Sequence, residues 1–207
     1  MRKIMLAAGL ILAAGCYTME VNMKLNSDDS GVATFVIDLP YSPPEEGPDT
    51  TTEALRQSMK GMADGKKGAK LLKYSEEISE DSSTITMTAK YRFKDFNEFF
   101  AGQEESYSFD LQSDGKMRTL VCKFTQDSLA PTDLPENASA EDSSAAALAE
   151  LTNMFLSSAV FNLIVEVDGK TISHNADSVK QGKIYWSVPF YADTPEVKTF
   201  TLKYKVK

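Results

Sequence analysis

Apolar residues recur at every second position in segment after segment of this chain. Met19, Val21, Met23 and Leu25 alternate with Glu20, Asn22, Lys24 and Asn26. Ile85, Met87, Ala89, Tyr91 and Phe93 alternate with Thr86, Thr88, Lys90 and Arg92. Successive side chains on a strand point to opposite faces, so this period with one polar side specifies strands buried on one face only. The same pattern predicts strands over Val32–Leu39, Lys70–Ile78, Tyr107–Leu111, Met117–Thr125, Phe161–Val167, Ile184–Phe190 and Phe200–Val206. Turn chemistry separates many of them: Ser27-Asp28-Asp29-Ser30-Gly31, Ser79–Ser83, Ser113-Asp114-Gly115-Lys116 and Asp168-Gly169.

Helical spacing is rarer. Thr50–Thr52 and Glu53 can cap a helix whose apolar face is Leu55, Met59 and Met62, ended by Gly65 and Gly68 after Lys66 and Lys67. A short helix is expected over Asp95–Ala101. Asp142-Ser143-Ser144 can cap a second main helix carrying Leu148, Leu151 and Phe155. Residues 127–144, rich in Asp, Ser, Pro, Ala and Glu with no apolar period, read as a mobile loop. The expectation is an α+β fold: a largely antiparallel, curved sheet of about nine strands, with two main helices packed on one face.

The first residues are of another kind. Arg2 and Lys3 precede an apolar run from Ile4 to Ala14. Such a run spans about half of the ~30 Å hydrocarbon core, which makes it a signal-peptide core and not a membrane span. Ala13-Ala14-Gly15-Cys16 follows, and small residues directly before a cysteine resemble the bacterial lipobox. That resemblance implies a diacylglycerol on the Cys16 thiol, cleavage before Cys16 and acylation of the new amine with a chain such as palmitate. The lipobox favours Leu three residues before the cysteine; here Ala13 holds that place and Leu12 lies one further back. Ala13 and Gly15 also satisfy ordinary signal peptidase, which would leave Cys16 free to pair with Cys122. Residues 1–15 are thus read as signal peptide, and 16–207 as one envelope domain. That domain is expected to be extracytoplasmic and lipid-anchored to a bacterial membrane.

Charge and composition then narrow the function. Without Arg2 and Lys3, 20 Lys and Arg face 30 Asp and Glu, a net of −10. A balance this acidic argues against nucleic acid, and it predicts membrane association through the lipid and not through surface charge. One His and two Cys are too few for a zinc site of the usual kind, and no metal or cofactor is expected. There is no nucleophile elbow, P-loop or dinucleotide fingerprint. His174 sits in a Ser-His-Asn-Ala-Asp turn with no nucleophile beside it. The acidic clusters Glu45-Glu46, Glu76-Glu77, Asp81 and Glu104-Glu105 read as solvated faces. Asp28, Asp29 and Asp168 lack the alternate-ligand spacing of a calcium loop. Cys122, in phase with Leu120 and Phe124, reads as a buried core residue. No catalytic residue is expected, and the chain is not read as an enzyme. Nine Met and 19 Phe and Tyr can fill a core or line a cavity for a floppy apolar ligand.

Two pieces of the chain resemble bacterial lipoproteins with an LppM-like domain. One is the opening hairpin, Val21-Asn22-Met23-Lys24-Leu25 with Asp28-Asp29-Ser30-Gly31. The other is the late segment with Asp168-Gly169, Asn175-Ala176, Gly182 and Trp186. The resemblance covers nearly the whole mature chain. It implies an α+β domain at the cell envelope, with lipid or glycolipid binding suggested for the family. Some members carry a C-terminal membrane span; this chain ends at Lys207 in a strand pattern, so its anchoring is expected to rest on Cys16. The function expected is a non-enzymatic, envelope-anchored lipoprotein that binds a lipid or other apolar ligand. The alternative is an envelope scaffold or assembly factor that binds another protein.

Overall fold

The period-two segments form strands, but they build two sheets and not one. The computed structural model describes residues 18–41, 50–80, 83–102, 107–128, 158–192 and 194–207. In chain order its elements are β1 (Thr18–Leu25), β2 (Gly31–Pro40), α1 (Thr50–Gly61), β3 (Lys70–Ile78), β4 (Thr84–Phe93), α2 (Phe96–Phe100), β5 (Tyr107–Asp114) and β6 (Met117–Ser128). There follow β7 (Val160–Val167), β8 (Gly169–His174), β9 (Ser178–Lys180), β10 (Lys183–Pro189), β11 (Tyr191–Ala192) and β12 (Glu196–Val206). The expected signal peptide, Cys16, the helix after Asp142 and nearly all of the expected mobile loop lie outside the described residues. Asp127 and Ser128, placed at the start of that loop, instead end strand β6.

Seven strands run in the order β3-β4-β2-β1-β7-β10-β9. A five-stranded sheet holds β11-β6-β12-β8, with β5 also on β6. Pairing is mostly antiparallel, as expected, but β1 runs parallel to β7 and β11 parallel to β6. The expectation of a single curved sheet fails at two crossings. After Val167 the chain leaves the seven-stranded sheet and enters β8 against β12; after Pro189 it leaves again for β11 and β12. Gly169 makes the first crossing possible, because a Cβ there would lie 2.5 Å from the Lys205 carbonyl oxygen. Among the described residues the inner face of the larger sheet is thus covered chiefly by the smaller one.

One core joins the sheets. Phe124 of β6 stacks on Phe161 of β7 at 4.6 Å and 12°, and Phe161 on Phe200 of β12 at 6.3 Å and 9°. At the other end, α2 turns Phe96, Phe99 and Phe100 inward. Phe99 stacks on Phe93 of β4 at 5.1 Å, and Phe100 meets Phe109 of β5 at 4.6 Å. Each buried ring contributes about 1.5–3 kcal/mol, so five residues of helix are held by packing and not by propensity. Asp95 caps α2, accepting from the Glu98 N–H at 2.7 Å. α1 ends at Gly61, earlier than the glycines 65 and 68 that were expected to stop it. It lays Met59 into the core.

Candidate functional site

The strand register fixes what the outer face of the seven-stranded sheet displays. Inward residues such as Met23, Ala33, Tyr91 and Val165 are buried, so their neighbours face out. In one cross-strand row, Lys70 lies opposite Arg92, Arg92 opposite Val32, Val32 opposite Lys24, and Lys24 opposite Glu166. Lys183 borders the same trough as Lys24 and Glu166, and Lys180 lies opposite Lys183. In the next row Lys73 lies opposite Lys90, beside Thr34 and Asn22. Toward the start of β1 the sign reverses, with Glu20, Asp38 and Glu77 facing out from the same sheet. Lys24 and Glu166 pair at 2.7 Å, and that contact raises the Lys24 pKa.

Two shallow clefts open on the basic half of this face. One, about 420 Å³, is bordered by Asn26, Asp28, Ser30, Val32, Arg92 and Lys94. The other, about 350 Å³, runs between Asn22, Lys24, Lys90, Ile164 and Lys183. No window of the sequence shows this grouping, because the side chains come from all seven strands of the sheet, separated by turns and loops. Alternation of Lys90 and Arg92 within β4 was its one visible trace.

The residues weighed for chemistry lie apart. Cys16 is outside the described residues, and β1 starts two residues after it. His174 is the last residue of β8 and not part of a turn between strands; its exposed ring takes the Ala176 N–H at Nδ1, 3.2 Å away. Cys122 is fully buried, as expected, and burial pushes its thiol well up, which keeps it protonated and inert. Glu76 does not belong to a solvated face: Arg56 of α1 grips it at 2.5 and 2.8 Å, and the Tyr74 hydroxyl donates to it at 2.7 Å. Glu45, Glu46, Asp81, Glu104 and Glu105 lie outside the described residues. Asp28 accepts from the Ser30 hydroxyl at 2.6 Å, Asp29 pairs with Arg118 of β6, and Asp168 pairs with Lys207 at 2.7 Å. Among the described residues no three His, Cys, Asp or Glu side chains gather as a metal site would need.

Asn175 ties the late segment together. Its Oδ1 accepts from the Trp186 indole at 3.0 Å and from the Thr201 N–H at 2.8 Å, and its Nδ2 donates to the Thr199 carbonyl at 2.7 Å. One amide therefore joins β10 of the larger sheet to β12 of the smaller.

An NMR structure of the folded domain of the LppM protein of Mycobacterium tuberculosis matches 94% of this chain and 92% of that chain, with a TM-score of 0.53 at 12% identity. This chain has an LppM-like fold. No family model matches it, and no curated protein does either. At this identity the likeness is one of fold. Within it, Asn175 and Trp186, which carried the resemblance in sequence, meet at the junction of the two sheets.

Proposed function

We propose that this chain is an extracytoplasmic bacterial lipoprotein, held at the membrane by acyl chains on Cys16, whose LppM-like domain binds a lipid or other apolar ligand and catalyses no reaction. The observation that carries the anchor is the run of small residues Ala13-Ala14-Gly15 directly before Cys16, after an apolar stretch. Cys16 precedes Thr18, in β1, by two residues, which can span at most about 7 Å, so a lipid on Cys16 would hold the domain close to the bilayer. Two or three acyl chains, at about 0.8 kcal/mol for each buried CH₂, make such an anchor effectively permanent.

The ligand site we favour is not the core. The rings that could have lined a cavity fill the contact between the sheets. The open clefts beside Arg92 and Lys90 set basic and amide groups, with one carboxylate each from Asp28 and Glu166, beside Val32 and Ile164, which suits the zwitterionic or anionic head and upper chain of an amphiphile. Native mass spectrometry of the detergent-purified lipoprotein tests this. A noncovalent lipid mass beyond the covalent acyl groups is expected. Its absence both as purified and after adding lipid would contradict the ligand.

The alternative, an envelope assembly factor, draws on a different feature. Outer strands carry exposed apolar side chains: Leu72 and Ile78 on β3, Ile172 on β8 and Val179 on β9. Open edges of this kind can accept a strand from another protein. A photocrosslinker at Ile172 that gives one discrete protein adduct in cells would favour this reading.

A further inference from the structure

The outer face of the seven-stranded sheet carries like charges at a cost. Lys70 opposes Arg92, Lys73 opposes Lys90, and Lys180 opposes Lys183. Like charges directly across a pair of strands destabilise a sheet. All six side chains are exposed. Among the described residues the nearby Lys24 has its carboxylate in Glu166, whereas none of these six forms an ion pair. A sheet that keeps three such pairs on one half of one face presents a broad positive surface around the two clefts.

We propose that this basic half docks on the anionic phospholipid headgroups of the bilayer that holds the anchor. The inference rests on the reading that Cys16 carries the lipid. The tether supplies the reason for that occupant. Cys16 precedes Thr18 by two residues, and Thr18 lies on the same sheet as the basic rows, opposite Asp38 and Val160. That bilayer is therefore always in reach, at high effective concentration. From Thr18 to Lys24 the strand advances about 20 Å, so the sheet can lie along the membrane with its acidic edge at the anchor and its basic half on the headgroups. Each Lys or Arg near an anionic surface strengthens attachment about fivefold, and salt weakens it. The net charge of −10 does not prevent this, since screening confines the interaction to the face in contact.

The test uses the full lipoprotein reconstituted in phosphatidylcholine vesicles, with and without phosphatidylglycerol, followed by flotation and by lysine acetylation read by mass spectrometry. The protein should float with both. Lys73 and Lys90 should be acetylated about fivefold more slowly on the anionic vesicles, and the difference should vanish at high salt. Lys123 and Lys203, on the outer face of the five-stranded sheet, should react equally on both. In a Lys90→Gln, Arg92→Gln variant the slowing at Lys73 should be lost while flotation persists. Equal acetylation of Lys73 and Lys90 on both vesicles, with flotation intact, overturns the docking and leaves the anchor standing. Slowing at Lys123 and Lys203 instead also overturns it. A protein that fails to float overturns the anchor, and the docking with it.

Discussion

At the scale of single residues, two side chains make opposite use of burial. Glu76 and Arg56 are about a quarter exposed, at 25% and 26%, and face each other with two hydrogen bonds. The Arg56 contacts hold the Glu76 carboxyl down from 4.5 to about 2. In the unfolded chain it takes up a proton near the ordinary value. The pair's contribution is therefore complete above about pH 4.5 and is lost as pH falls toward 2. Glu76→Gln should cost about 1 kcal/mol at neutral pH, the discount reflecting solvent screening. It should also flatten the acid limb of a chemical-denaturation stability profile across that window. Tyr91 is the reverse case. Among the described residues its buried hydroxyl has no hydrogen-bond partner, and burial pushes its pKa up to about 12. A buried unpaired hydroxyl is a cost. Tyr91→Phe should leave the thermal midpoint unchanged or raise it, with a gain of up to about 1 kcal/mol.

At the scale of elements, α2 shows how a five-residue helix positions a sheet edge. Among the described residues β5 pairs with β6 on one side only. On its other side Asn97 of α2 donates to the Leu111 carbonyl at 2.9 Å and accepts the Leu111 N–H at 2.8 Å. One side-chain amide thus mimics a neighbouring strand and closes the edge. Asn97→Ala removes both bonds and should cost about 1–3 kcal/mol, with amide exchange at Leu111 accelerating more than that at Leu120 in the middle of β6. The elements themselves differ in how far sequence revealed them. β1, β2 and β4 were legible because each buries alternate residues against one core. β8 was not, since none of its residues is buried and its pattern carries no period. β9 and β11 are three and two residues long, too short to show one. α1 was legible at its start but ran shorter than expected, because Gly61 ends it and the left-handed Gly65 and Gly68 belong to the turn toward β3.

At the scale of the whole molecule, the division into two sheets was hidden, because alternation records that a strand has a buried face and not what covers it. The crossings at Gly169 and after Pro189 decide that, and both lie in stretches that read only as turn and strand end. Charge behaved in the same way. The acidic total was plain, but its separation into a basic half-face and an acidic edge near Thr18 depends on strand order, with β7 inserted parallel beside β1. The candidate site was legible only as an address: a cysteine after a signal-like run, two residues before the first strand. The central claim is that this address is used. The most direct measurement is the intact mass of the protein extracted from the membrane fraction of a bacterium expressing the full chain. The account predicts a chain beginning at Cys16 and heavier by a diacylglyceryl group with or without a further acyl chain, and it predicts no such species for Cys16→Ala. A membrane-fraction protein beginning at Cys16 with no added mass, or one retaining residues 1–15, would contradict it.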